Sequence, residues 1–401
     1  MKVVLIAYEY PPYTFGGMGS FSKELAEGLS KSGTNLTVIA AQASHIPAIE
    51  EFSSHLRIIR LPTSDFPPRH FWWQIRNSNL MVDLISKISP DLVHVNSGNG
   101  SLLLGTIKKR LKRPVVLTIH GDYRQILGIT LKYSGFMKPY DFLTYVCSQP
   151  LHEKLLQADM QVADCAVAVA THVKKDISSR FKSNNFRTIH NGINTEPILC
   201  NSGSNGSLRR AGRRGLKDKK VRIAFAGRLY WIKGVIYALK AFAHLSAHCQ
   251  TKRLELNVYG SGPLRTTVEK YARISRNERS KINYCGTLDR DLFLRELLHN
   301  DIVVVPSLYE ACPMIVAEAF SLGIPVVASN MAWSQEFIQH NVNGLRTDTR
   351  SPETFAASLS ELIENDELRK RISENARRDA KKYDVSNTVS SYLELYNDLL
   401  S

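Results

Sequence analysis

Two glutamates, Glu310 and Glu318, stand eight residues apart in EACPMIVAEAF, around an apolar run. Burying an unpaired charge is costly, so an apolar helix would normally exclude both. The strand-like DIVVVPS (301–307) precedes them. Pro313 suits the first turn of a helix, where its missing N–H loses nothing, and Gly323 suits the end of the same helix. Glu310 is therefore expected on a loop at a strand's carboxyl end, and Glu318 near the second helical turn. The unsatisfied N–H groups at the helix start, those of Met314 and Ile315 among them, mark an anion site. Carboxylates beside an anion site are not there to attract the anion. They suit neutral hydroxyl donors, such as those of a sugar or ribose.

A second group follows another strand, in FAGRLYWIKG (225–234). Arg228 offers a planar fork for phosphate oxygens and Lys233 a point charge. A departing nucleoside diphosphate needs such neutralisation as its bond breaks. The plain alternative is a pair of solvated basic residues on a loop. A third group is YEYPPYTFGGMGSFS (8–22), where Gly16, Gly17 and Gly19 precede a helix and would let backbone N–H groups approach a phosphate. It is not GxGxxG, so a dinucleotide fingerprint is not supported. His120 ends an apolar strand just before Gly121 and Asp122. A histidine there is often structural, but its loop position also suits a site, and His94 and His190 read as structural.

The elements that must position these groups alternate. KVVLIAY (2–8), NLTVIAA (35–41), LRIIRL (56–61), DLVHV (91–95), PVVLTIH (114–120), CAVAVA (165–170) and RTIH (187–190) read as strands, with a helix over 20–33 ending at Gly33. Nearly continuous apolar runs are typical of parallel strands covered on both faces. The stretch 200–220 is rich in Gly, Ser and basic residues and reads as a flexible linker. Alternation restarts with VRIAFAG (221–227), LELNVYG (254–260), KINYCG (281–286), DIVVVPS and IPVVAS (324–329), and helices fill 351–400. This pattern predicts an α/β protein of two Rossmann-like, doubly wound domains facing a central cleft. Ligands in such folds sit beyond the carboxyl ends of the strands.

The ordered set PP…GGMG, TIHGD (118–122), VAVATHVKKDI (167–177), TIHNGIN (188–194), AGRLYWIKG (226–234), VYGSGPLR (258–265) and EACPMIVAE (310–318) resembles glycosyltransferase family 4, retaining enzymes of the GT-B fold. The E-x7-E spacing is its most specific element, and the resemblance spans nearly the whole chain. It implies that Glu310 holds hydroxyls of the transferred sugar and Glu318 the ribose hydroxyls. Arg228 and Lys233 would bind the diphosphate, with Gly16 and Gly17 against the same phosphates. His120 would lie near the reacting side of the sugar, and Leu288 would line the base pocket. The implied donor is a UDP- or GDP-linked sugar such as GDP-mannose, bound as a substrate with no separate cofactor. The implied acceptor is a sugar, a glycan, a lipid-linked molecule or a small molecule. The domains would run 1–196 and 221–383, joined by a linker at 197–220, with a helix at 384–401 crossing back to the first. Domain closure would exclude water.

Three departures stand out. EACP replaces the common EGFG, NGIN has Asn194 in place of an acid, and NMAWSQE (330–336) replaces GG-x-x-E. Asp289-Arg290-Asp291 matches a metal–diphosphate DxD, but a helix cap explains it more simply and no metal is expected. The six scattered cysteines form no CxxC pair, and the chain start is too short for a signal segment. No apolar run approaches the ~20 residues of a membrane span. A cytoplasmic protein is expected, with peripheral attachment to the inner face of a membrane left open. The net charge of +15 suits anionic partners, an acidic bilayer included. FPPRHFWWQIR (66–76) would suit an apolar interface, although a helix burying its tryptophans is the simpler account. The rival functions are a GT-B nucleotide-sugar epimerase and a basic nucleic-acid-binding protein. No nucleic-acid module is recognisable, so no nucleic-acid partner is expected.

Overall fold

In a computed structural model of the chain, the apolar runs become two separate sheets, each at the centre of its own unit. Residues 1–14, 16–42, 48–63, 69–96, 103–133, 139–182, 185–194, 220–249, 251–275 and 279–401 are described. Contacts divide the chain into one unit of Met1–Gly192 with Val385–Ser401 and another of Ile193–Asp384.

The first unit holds β1 (Lys2–Ile6), β2 (Asn35–Gln42), β3 (Ile49–Ser53), β4 (Leu56–Pro62), β5 (Leu92–Asn96), β6 (Val115–Ile119), β7 (Cys165–Ala168) and β8 (Phe186–Thr188). Their order is β3-β4-β2-β1-β5-β6-β7-β8, all parallel except the β3–β4 pair. The antiparallel edge strand β3 was not legible in the sequence. It reads IEEFS, mostly exposed, and its acids guard the edge rather than fill a core. The helices are α1 (Gly17–Lys31), α2 (Arg69–Ile88), α3 (Leu104–Leu111), α4 (Tyr123–Tyr133), α5 (Pro139–Val162) and α6 (Thr171–Ser178). The last helix of the chain (Val385–Leu400) packs on α1, where Gly28 leaves room for Val389; a Cβ at Gly28 would lie 2.4 Å from Val389 Cγ2. Tyr392 and Tyr396 on that helix are fully buried.

Helix α1 starts earlier than the expected 20–33. Gly16 is its N-cap with extended backbone, and Gly17 is its first residue. Gly19, expected before the helix, lies within the first turn, where a Cβ would come 2.3 Å from Thr14 Cγ2. That glycine serves close packing rather than approach to a ligand. Gly33 does follow the helix, with φ of +83°. In the 66–76 stretch, Trp73 is buried and its indole N–H donates to Leu61 O at 3.2 Å, while Trp72 is exposed. Phe66 lies outside the described residues.

The second unit holds β9 (Lys220–Ala226), β10 (Arg253–Tyr259), β11 (Ser280–Gly286), β12 (Ile302–Val305), β13 (Val326–Ser329) and β14 (Leu345–Thr347), all parallel, in the order β11-β10-β9-β12-β13-β14. Its helices are α7 (Val235–His248), α8 (Arg265–Ile274), α9 (Arg290–Leu297), α10 (Met314–Leu322), α11 (Ala332–Phe337), α12 (Pro352–Glu364) and α13 (Asp366–Ala380). The final helix of the chain is α14 (Val385–Leu400). The three-residue strand β14 was missed, being too short for any periodicity to show. Of the predicted linker, 197–219 lies outside the described residues. Lys220 belongs to β9 and pairs with Glu255 at 2.7 Å. Five cysteines, Cys147, Cys165, Cys249, Cys285 and Cys312, are free thiols; Cys200 is outside the described residues. Among the described residues no helix is long and apolar enough to cross a membrane.

Both sheets are doubly wound. In the second, strand order reverses between β9 and β12, the position in open α/β sheets beyond whose carboxyl ends ligands bind. The two loops are 227–234 and 306–313, which carry Arg228, Lys233 and Glu310.

Candidate functional site

The loop after β9 closes with one turn of 3-10 helix, Trp231–Lys233, ended by Gly234 at φ +71°. A side chain at Gly234 would collide with the neighbouring loop, because a Cβ there would lie 2.1 Å from Pro306 O. Leu308 N donates to Ile232 O at 2.8 Å, fastening the two loops together. This contact brings Lys233 to Glu310, with Nζ 2.7 Å from both carboxylate oxygens. Ser307 Oγ donates to Glu310 Oε1, also at 2.7 Å. The glutamate side chain is 11% exposed and the lysine 25%, so the pair is largely sheltered from solvent screening.

Arg228 lies on the same loop, exposed, and its guanidinium has no hydrogen-bond or ion-pair partner among the described residues. Its loop is braced by two close backbone approaches. A Cβ at Gly260 would lie 2.0 Å from Gly227 O, and one at Gly262 would lie 2.6 Å from Leu229 O. Both glycines also have positive φ. The GSG of VYGSGPLR therefore lets the turn after β10 lie against the Arg228 loop.

Helix α10 begins at Met314, with Pro313 as its N-cap and no side-chain cap. Pro313 is thus one residue earlier than expected: its ψ of 98° is extended, which places it outside the first turn. Val316 N folds back on Pro313 O at 3.0 Å, whereas the N–H groups of Met314 and Ile315 have no acceptor among the described residues. Gly323 ends the helix in the left-handed region, as the sequence suggested. Glu318, 5% exposed, faces Arg290, whose Nη1 lies 2.9 Å from Glu318 Oε1. Leu288, half-buried, lies two residues before Arg290 in the segment leading from β11 to α9. Asp289 caps α9 by accepting from Leu292 N at 3.0 Å. The acids of DRD thus belong to the helix start, and the residue between them serves the buried glutamate. No cluster of three or more His, Cys, Asp or Glu suited to a metal occurs among the described residues.

Sequence reasoning singled out both glutamates but missed their partners. Ser307 was read only as the end of a strand, and Arg290 only as the middle residue of the DxD match. The pairing of Glu318 had a signal in principle, since a buried carboxylate must find a cation or donors.

The remaining predicted residues lie in the first unit. Gly16 and Gly17 are exposed at the start of α1. His120 follows β6, and its Nε2 bonds to Asn96 Oδ1, whose amide donates to Ser22 Oγ at 2.9 Å. Since Asn96 presents its oxygen, the imidazole donates from Nε2 and keeps Nδ1 as an acceptor. Asp122, buried, fixes the same loop by pairing with Arg180 at 2.6 Å, and Arg180 also meets Glu153. One strand away, His94 bonds to Tyr396 OH and Thr118 Oγ1, both at 2.7 Å. Thr118 bonds in turn to Tyr392 OH at 2.8 Å. The residue taken as structural therefore ties α14 to the sheet.

Burial pushes His94 and His120 down to about 3 and His70 down to about 4, so all three are neutral in the folded chain. An unfolded chain binds protons at these sites once the pH drops below about 6.5. Their stabilising contribution is complete above that value and is lost as pH falls towards 4, by about 1.4 kcal/mol per histidine per unit. Urea midpoints at pH 7.5, 6 and 5 should therefore decline steadily. A constant midpoint would show that these imidazoles are not held neutral.

Two family descriptions match the chain in succession: Glycosyltransferase Family 4 over residues 15–197 and Glycosyl transferases group 1 over residues 210–379. An uncharacterized glycosyltransferase of Methanocaldococcus jannaschii is 25% identical over 402 residues, which span 99% of this chain and 98% of that protein. Sucrose-phosphate synthase from Thermosynechococcus elongatus shares the fold with a TM-score of 0.77 at 19% identity, covering 100% of this chain and 99% of its own. Anabaena HepE in complex with UDP-glucose does so with a TM-score of 0.71 at 17% identity, covering 99% and 100%. With both halves matched and the doubly wound pair of sheets in place, the chain belongs to glycosyltransferase family 4 and has the GT-B fold.

Proposed function

We propose that the chain moves a hexose from a nucleoside diphosphate sugar to a hydroxyl acceptor, with retention of configuration. The observation that carries this is the meeting of Lys233 and Glu310 at the strand-order reversal, beside the open N-terminus of α10. As the bond from the anomeric carbon to the diphosphate oxygen breaks, negative charge grows on the leaving phosphate. Lys233, Arg228 and the N–H groups of Met314 and Ile315 stand ready to neutralise it. Glu310 accepts hydrogen bonds from the sugar hydroxyls, and Glu318 from the ribose. Leu288 packs against the base. In the first unit, His120 orients a hydroxyl through Nδ1; with its affinity for protons so reduced, it serves as a hydrogen-bond acceptor rather than a proton store. Gly16 and Gly17 offer backbone N–H groups to phosphate. No cofactor enters this scheme.

UDP is the first nucleotide to try, because HepE, which shares the fold, has been captured with UDP-glucose. A thermal-shift screen of UDP-, GDP- and ADP-sugars tests the proposal, since a ligand that binds only the folded state must raise its melting temperature. At a donor concentration of 100 Kd the stabilisation is about 2.7 kcal/mol. One nucleotide series should stand out, and the product formed from that donor should keep its anomeric configuration by proton NMR. No shift with any series, or an inverted product, would refute it.

A further inference from the structure

Behind Glu310 lies a set of buried polar groups that donor binding alone does not require. Ser307 is 2% exposed, and its carbonyl accepts from Trp333 Nε1 at 3.0 Å and from Ser329 Oγ. Trp333 and Ser329 are themselves 1% and 2% exposed. The Ser307 hydroxyl then donates to Glu310 Oε1 at 2.7 Å, beside the Lys233 ammonium. A carbonyl oxygen has two lone pairs, and here two donors, one from the end of β13 and one from the start of α11, occupy them. Aligning Glu336 with the last position of GG-x-x-E puts Ala332 and Trp333 at the two glycine positions.

We propose that Trp333 and Ser329 are positioning residues that act through Ser307 to aim the Glu310 carboxylate at the donor sugar. This rests on the assignment of Glu310 to the sugar. By clamping the Ser307 carbonyl the indole fixes the direction of the Ser307 hydroxyl. That hydroxyl holds Oε1 of Glu310 while Lys233 holds both carboxylate oxygens, so the group is fixed from two sides. Such pre-organisation matters most for an interaction that strengthens in the transition state, so its loss should appear in turnover more than in nucleotide binding.

The test uses Trp333→Phe, which keeps an aromatic ring but removes the N–H with part of the indole, together with Ser307→Ala and its conservative counterpart Ser307→Thr. Transfer from UDP-glucose should fall about tenfold in kcat in Trp333→Phe and in Ser307→Ala. The Kd for UDP, which has no sugar, should stay within about twofold, and Ser307→Thr should recover most of the turnover. Independently of any donor, the Lys233 ammonium resonance in 15N-lysine protein, assigned by its absence in Lys233→Ala, should shift in Ser307→Ala and in Trp333→Phe. An unchanged resonance in both variants overturns the relay, even if UDP-glucose proves a poor donor. Equal losses of UDP binding and of turnover also overturn it, by showing general damage to the fold. If instead the resonance shifts while no nucleotide sugar is ever turned over, the relay stands and the functional assignment fails.

Discussion

Replacing Lys233 with alanine is expected to slow sugar transfer by about 10²- to 10³-fold, the loss typical of removing one group aimed at developing charge. The lysine is placed for this role by a backbone contact, since Gly234 and Pro306 approach too closely for any side chain between them. Its ammonium lies 2.7 Å from both oxygens of Glu310. Two of its N–H groups are thus engaged by the carboxylate, which leaves the third for phosphate. Glu310→Gln should accordingly do two opposite things. Transfer should collapse, because the sugar hydroxyls lose a charged acceptor. Binding of the free nucleoside diphosphate should tighten, because the lysine charge is no longer offset. Isothermal titration with UDP on both variants separates these effects. Weaker UDP binding in Glu310→Gln, or full transfer in Lys233→Ala, would rule out the assignment.

Removing Glu318 should also abolish transfer, but for two reasons that need separating. The carboxylate is buried and holds Arg290 at 2.9 Å. Breaking a buried pair by deleting one partner typically costs about 3–5 kcal/mol. Arg290 is 28% exposed, so the cost here should fall below that range, because water can still reach the arginine. Replacing both members with apolar residues of similar volume is often neutral for stability. The double variant Arg290→Met, Glu318→Met should therefore melt close to the parent chain while remaining inactive, because the ribose still lacks its acceptor. Glu318→Ala should be both less stable and inactive. Recovery of transfer in the double variant would show that Glu318 is only a partner for Arg290.

The glutamate pair itself was legible in the sequence, because its cues are local. A β-rich run, a proline and a terminal glycine frame a nine-residue helix, and an apolar helix bearing an acid is an anomaly that asks for a ligand or a partner. The glycine-rich stretch was legible only in part. Glycines before a helix suggest phosphate approach, yet Gly19 answers to the packing of Thr14, a residue five positions earlier whose location only the folded loop sets. The edge strand β3 and the short β14 escaped because an exposed strand and a three-residue strand carry no apolar period.

Alternation of buried strands with amphipathic helices is written along the chain, because each such element must hide one face or both. That alone determined an α/β protein with two doubly wound sheets, and it placed Arg228, Lys233 and Glu310 on loops at strand ends. Which loops meet is a different kind of fact. Lys233 and Glu310 are 77 positions apart and come together because β9 and β12 are neighbours where the strand order reverses. Arg290 reaches Glu318, and Trp333 reaches Ser307, through contacts between elements separated by 28 and 26 positions. Local pattern cannot encode such pairings, since the free energy that selects them is spread over a whole packed unit. Only the tertiary structure decided that each carboxylate has a cation, and that a tryptophan stands behind one of them.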